Sequence, residues 1–247
     1  MQRDIALMKL SREEVIGKRD EIKKQFIKKS INYLEYGLVD ISAVDIKILF
    51  NIYDEIFLQE VFKKYKMNIK FSISSRMTSA AGKTLAKTRN GKLVNDFEIR
   101  LSKVFFNNLL KTEEDREVCG LKCEDRLMAV MLIMEHEMVH LLEFVLYGDS
   151  NCSNPRFKIL AKNIFGHTQS YHKLPNNREV LKKEKNMVLG DRVCFDFKNA
   201  RLEGVLYKVN KRAVVMVNSE NGQYSDKKGN RYEKFYVPLE KLSLLKK

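Results

Sequence analysis

The sequence predicts an α+β domain followed by a small all-β module. Three observations predict it. A long helical pattern with one polar stripe runs from Met128 to Leu146, two alternating apolar runs between Met67 and Phe106 mark a small sheet upstream, and several short alternating runs follow Met187. At 247 residues and 44% apolar, the chain can bury a core in one large domain or two modest ones. The expected divisions are a helical extension at 1–40, the α+β domain at 41–175, a linker at 176–186 and a basic β-barrel at 187–247.

In chain order, Ser11 followed by Glu14 is a capping-box pattern, in which hydroxyl and carboxylate each satisfy the other residue's backbone N–H. Val15 to Leu34 then carries Ile22, Phe26, Ile27, Ile31 and Leu34 at helical spacing among lysines, a charged face that reads as solvated surface. A second helix is expected after Asp40 or Ser42, with Val44, Ile48, Leu49, Ile52, Tyr53, Ile56, Phe57, Val61 and Phe62 on its buried side. Those residues read as core and not as a cofactor site.

Between Met67 and Phe106 the period drops to two. Ile69, Phe71 and Ile73 alternate with polar residues, as do Phe97, Ile99 and Leu101, and Asn90-Gly91 is a turn signal between them, so a small antiparallel sheet is expected. The intervening Ser75 to Thr84 is small, polar and glycine-bearing, which suits close approach of backbone to a neighbour. A short helix at Lys103 to Leu110 and a charged loop, Lys111 to Gly120, lead into the long helix.

That helix contains His136-Glu137-Met138-Val139-His140, an H-E-x-x-H pattern. Histidines four apart lie one turn up the same face, so both imidazoles reach one ion, and the glutamate lies about 100° round the helix, placed to act as general base. Met128, Val130, Met131, Leu132, Ile133, Met138, Val139, Leu141, Leu142, Phe144, Val145 and Leu146 make the helix apolar nearly all round. Its stripe of His136, His140 and Glu143, with Glu137 beside it, is therefore buried, and burial of such groups is costly unless they are paired or bind metal. Zinc is the expected cofactor. Glu143 stands about 10.5 Å along the axis from His136, too far to share the ion, and is expected to orient an imidazole from behind.

Cys119, Cys123, Cys152 and Cys194 are scattered as in a reduced compartment, and the C-x3-C pair of Cys119 and Cys123 has no second pair to complete a structural zinc site. No apolar run approaches the roughly 20 residues that cross a bilayer, and the N-terminus lacks a signal-peptide core. The expectation is a cytoplasmic, nucleoid-associated or nuclear protein with no membrane partner, monomeric. Net charge is +14, from 46 basic against 32 acidic residues, which favours a polyanionic partner such as nucleic acid.

Taken together, Ser75-Arg76-Met77-Thr78-x-Ala80-Ala81-Gly82, Glu98-Ile99-x-Leu101-Ser102 and His136-Glu137-Met138-x-His140 resemble the SprT-like, Spartan-type zinc metallopeptidase family over Val44 to His172. The resemblance implies a zincin-like α+β fold, peptide hydrolysis and protein substrates bound or crosslinked to DNA, with His136 and His140 as zinc ligands and Glu137 as the catalytic glutamate. The family's third ligand opens an H-G-x-x-F segment, and here Phe157 is preceded by Ser153 in that place. Glu143, Asp149, Cys152, His167 and His172 are the nearby donors. All four histidines of the chain lie between 136 and 172, which puts His167 first as third ligand, with His172 and Cys152 as alternatives. The competing function is a non-catalytic nucleic-acid-binding protein with a degenerate metal site.

His172 to Asn186 reads as a linker. Beyond it Val193, Phe195 and Phe197, then Val205, Tyr207 and Val209, then Val215 and Val217 alternate with polar residues, suggesting a small SH3-like or KOW-like barrel. Its opening at Val188 to Val193 and its Gly204 to Arg212 segment resemble modules that follow some bacterial SprT-like domains. Lys173 to Lys247 holds 18 basic and 9 acidic residues. Lys208, Lys211, Arg212 and Arg231, with Tyr207, Tyr224 and Tyr232 nearby, are the expected nucleic-acid contacts.

Overall fold

The computed structural model describes residues 2–109 and 116–245. It divides into two compact units, Met1–Leu174 and Pro175–Lys247. The chain is mixed α+β, and no helix among the described residues is long and apolar enough to cross a membrane.

The first unit opens with α1 (Gln2–Leu7) and α2 (Arg12–Lys29). Ser11 and Glu14 close the capping box at the start of α2, which buries Val15, Arg19, Ile22 and Phe26. The helix stops at Ser30, so Ile31 and Leu34, expected on its buried side, are exposed, and Leu34 instead belongs to a two-residue hairpin of β1 (Tyr33–Leu34) and β2 (Gly37–Leu38). In α3 (Ala43–Ile56) a second capping box joins Ser42 to Asp45, and Ile46, Leu49, Phe50, Ile52 and Tyr53 are buried. Val44 is exposed, because one turn of that helix faces solvent where its spacing suggested core. The expected single helix through Phe62 is broken: Gln59 and Glu60 take left-handed backbone, and a short α4 (Val61–Lys64) follows, its first N–H groups held by the Asp54 carboxylate.

The sheet of β3 (Ile69–Ser74), β4 (Gly82–Arg89) and β5 (Lys92–Ser102) has the order β3-β5-β4. Asn90 and Gly91 both take positive φ in the turn that pairs β4 with β5 antiparallel. β3, however, pairs with β5 in parallel, Ile69 opposite Phe97. The antiparallel expectation fails because residues 75–81 carry the chain past β5 and lay β4 on its far side. α5 (Lys103–Asn108) follows, capped by Ser102. Of the expected charged loop, residues 111–115 lie outside the described residues; its end forms a tight hairpin, β6 (Glu117–Val118) and β7 (Leu121–Lys122), turning on Cys119 and Gly120.

The long helix α6 (Arg126–Tyr147) is capped by the Asp125 side chain and ended by Gly148 in left-handed backbone. Fifteen of its residues are buried, Leu127 to Glu143 with few gaps, as α3, α7 (Pro155–Phe165), β4 and β6 pack round it. Proline at the start and Gly166 at the end bound α7. The first unit ends at β8 (His172–Lys173), which pairs with β6 and sets Val118 opposite His172.

In the second unit, the stretch read as a linker is helical. Asn176 and Glu179 form a capping box that starts α8 (Asn177–Lys185), and Leu181 enters the core of this unit with Met187, Val193, Phe195, Leu206, Val215 and Val237. The strands β9 (Arg192–Phe197), β10 (Ala200–Val209), β11 (Ala213–Asn218), β12 (Tyr224–Ser225), β13 (Arg231–Val237) and β14 (Ser243–Leu244) form an antiparallel sheet in the order β12-β13-β11-β10-β9-β14. β12 and β14 stay at opposite ends, so the sheet is open where a closed barrel was expected. The end strands are two residues each, too short to close it.

Candidate metal centre

The spacing on α6 does what 3.6 residues per turn requires: Nε2 of His136 and Nε2 of His140 are 3.2 Å apart. Behind His140 the protons can be placed. Ser150 Oγ donates its one proton to Glu143 Oε2 at 2.6 Å and lies 2.7 Å from His140 Nδ1. It can therefore only accept from the imidazole, so Nδ1 carries the hydrogen and Nε2 presents a bare lone pair. Glu143 is held in turn by the Asn151 N–H at 3.0 Å and by Arg156 Nε at 2.8 Å. Glu143 thus reaches His140 through Ser150, a residue the sequence reading missed; only its hydroxyl, ten residues beyond His140, hinted at it.

Glu137 lies beside this pair, buried. Thr84 Oγ1 on β4 donates to its Oε2 at 2.7 Å. Burial pushes the carboxyl up to about 7, and the hydrogen bonds from Thr84 act in the opposite sense. Its other oxygen occupies the space left by Gly82, where an added Cβ would stand 2.5 Å from Oε1 and 2.8 Å from Ile133 Cγ2. The small residues before β4 serve this approach.

The structure does not bring His167, the first choice for third ligand, to the histidine pair. His167 is buried with Nε2 2.7 Å from Glu135 Oε2. Arg19 Nε and Nη2 contact Glu135 Oε1 and Oε2 at 2.8 and 2.6 Å, and the Tyr53 hydroxyl donates to Oε1 at 2.7 Å. Burial alone would raise the Glu135 carboxyl, but the Arg19 charge and these hydrogen bonds, His167 among them, bring it to about 2. The acceptor positions of that carboxylate are filled, and His167 is held there through Nε2, about 100° round α6 from His136. The cause is geometric: α7 ends at Phe165, and Gly166 turns the chain so that His167 docks at Glu135, one residue round the helix from His136.

Two groups of donors do converge, each with atoms within 4.8 Å of one another: His136, His140 and Cys152, and separately Cys119, His136 and His172. Cys152 and His172, both alternatives from the sequence, are in different groups. Cys119, expected to have no metal role, is in the second. Asp149 is turned away in an ion pair with Arg156. Burial lowers the basicity of all three imidazoles, His140 and His172 to about 4 and His136 well below its usual value, which leaves them neutral. Two ligands of a tetrahedral zinc at its usual Zn–N distances stand about 3.3 Å apart, so neutral, buried nitrogens 3.2 Å apart fit that ion.

In the second unit, Lys208, Lys211, Arg212 and Arg231 are all exposed. The β10–β11 hairpin gathers the first three, but Arg231 lies at the far end of β11, with Asn218 opposite Tyr232 and Ala213 opposite Val237. The separation is about 17–20 Å along the strand, so the four do not form one cluster. Tyr207, Tyr224 and Tyr236 are exposed as well, with Lys234 over the Tyr224 ring at 3.8 Å.

An α+β unit built round a buried H-E-x-x-H helix defines a metallopeptidase-like class of domain. Residues 49–178 match the SprT-like family, and the chain belongs to it. The family is associated with metallopeptidase activity. No curated protein and no solved structure matches the chain.

Proposed function

We propose that the protein is a zinc-dependent endopeptidase in which His136, His140 and Cys152 hold the metal and Glu137 is the general base. The observation that carries this reading is the pair of buried, neutral imidazoles whose Nε2 atoms stand 3.2 Å apart beside a buried, hydrogen-bonded glutamate. Cys152 replaces the histidine of the family pattern one position from Ser153, and zinc takes thiolate as readily as imidazole. When bound, zinc supplies a Lewis acid that polarises the scissile carbonyl and acidifies water.

The chain's own residues then do the following. Thr84 fixes the Glu137 carboxylate through Oε2, and that carboxylate takes the proton of the attacking water and passes it to the leaving amine. Ser150 and Glu143 hold the His140 ring in one tautomer. β4 is an edge strand beside Glu137, unpaired on its outer side among the described residues, and this supports an extended peptide as substrate, added as a further strand. The excess of 18 basic over 9 acidic residues in Lys173–Lys247 supports nucleic-acid-associated proteins, DNA-crosslinked ones included, as the substrate class.

Glu137→Gln tests the chemistry. The variant is expected to retain the zinc content of wild type and to lose peptidase activity by at least 100-fold, on the scale of general-base catalysis. Cleavage as fast as wild type would reject the role of Glu137. Salt-sensitive DNA binding by the full chain tests the substrate class.

A further inference from the structure

Cys119 stands in the β6–β7 turn with φ of 54°, in the left-handed region that a residue with a side chain enters only under constraint. The constraint is visible on both sides. Its N–H donates to Tyr171 O at 2.9 Å, and its carbonyl accepts from the N–H groups of Thr168 and Gln169 at 3.0 and 3.1 Å. Gly120 follows at φ 77°, and a Cβ there would meet Thr168 Oγ1 at 1.9 Å.

This turn places the thiol in the interior. Sγ lies 3.7 Å from Nδ1 of His136 and 3.7 Å from Nδ1 of His172, and the two imidazole centroids are 4.8 Å apart. All three side chains are held in place: His172 by the β6–β8 pairing, Cys119 by the hydrogen-bonded turn that follows β6, and His136 by α6. Sulfur and nitrogen bound to one tetrahedral ion at ordinary Zn–S and Zn–N lengths stand about 3.6 Å apart. One thiolate with two imidazoles is also a donor set that soft and borderline cations take.

We propose that Cys119, His136 through Nδ1 and His172 through Nδ1 form a second site for a thiophilic divalent cation, zinc or cadmium. It lies on the ring edge of His136 opposite the one that meets His140. With both sites filled, His136 bridges as imidazolate. Loading the second ion releases two protons, one from the Cys119 thiol and one from His136, while His172 binds neutral.

Cadmium titration of the full chain tests this, with bound metal per chain and thiolate-to-metal charge-transfer absorption as readouts. Cys119→Ser and His172→Gln are each expected to bind one cadmium fewer than wild type, and Cys119→Ser to lose part of the charge-transfer band. Cys152→Ser, whose sulfur belongs to the other group, should leave the Cys119-dependent part in place. Equal stoichiometry in wild type, Cys119→Ser and His172→Gln overturns the proposal, and so does loss of the entire band in Cys152→Ser. If Cys119→Ser does not fold, His172→Gln carries the test, since His172 is only half-buried.

Discussion

Arg19 and Glu135 meet as a two-pronged ion pair across 116 residues of sequence, Nε to Oε1 at 2.8 Å and Nη2 to Oε2 at 2.6 Å. Glu135 immediately precedes His136 on α6 and is fully buried. Its cation comes from α2, outside the residues 49–178 that match the family, so this chain's N-terminal extension is keyed into the helix that carries the site.

Removing one partner of such a pair leaves a buried charge. Arg19→Met is expected to destabilise the protein by about 3–5 kcal/mol. Chemical denaturation followed by circular dichroism reads the change, and an unaltered midpoint would show that Tyr53 and His167 suffice to hold the carboxylate.

Ser150 stands between Glu143 and His140. Ser150→Ala removes the acceptor for the Nδ1 proton but leaves Glu143 bonded to Arg156 and Asn151, so the fold should persist. Zinc affinity is expected to fall about 10–100-fold, the usual effect of losing the group behind a ligating imidazole. Competition with a chromogenic chelator measures it, and unchanged affinity would remove Ser150 from the site.

Gly82 is required by its neighbour. A methyl group there would press on Glu137 Oε1 and Ile133 Cγ2, and Thr84 holds the glutamate from the other side. Gly82→Ala is therefore expected to displace the base and lower peptidase activity about 100-fold, the order of effect of a small misplacement of a reacting group. Zinc content should stay at the wild-type value, and an active variant would place the base elsewhere.

Asp45 governs part of the acid stability. Burial pushes its carboxyl up, but hydrogen bonds from Ser30, Ser42 and Asn32 outweigh burial and leave it below its ordinary value of 3.8. A group lowered in the folded state contributes stability that is fully present above the unfolded value and is lost as pH falls through the folded one. Asp45→Asn should thus be less stable than wild type at neutral pH, and the gap should narrow as pH falls through 3.8 and below. Denaturation midpoints across that range decide it, and a constant gap would assign the loss to packing.

Much of the fold follows from local patterns. Ser11 with Glu14 and Ser42 with Asp45 start helices because their side chains satisfy the first N–H groups, and Asn90-Gly91 turns a hairpin because both residues tolerate positive φ. His136, Glu137 and His140 were likewise legible, since four residues on one helix fix their relation before anything packs. The second unit was less so. Asn177–Lys185 has few apolar residues, and Val180 and Leu181 become buried only when the sheet is there to receive them.

What the sequence by itself determined is therefore the H-E-x-x-H helix, the relation of His136, Glu137 and His140 on it, and the alternation of helix and strand round it. The tertiary structure decided which distant donors arrive there. Gly166 sends His167 to Glu135, the loop after α6 brings Cys152 to the histidine pair, and the left-handed turn at Cys119 sets a thiol between His136 and His172. Residue spacing fixes geometry only within a helix or a strand pair; between elements it depends on which surfaces bury one another, and that is a property of the whole chain.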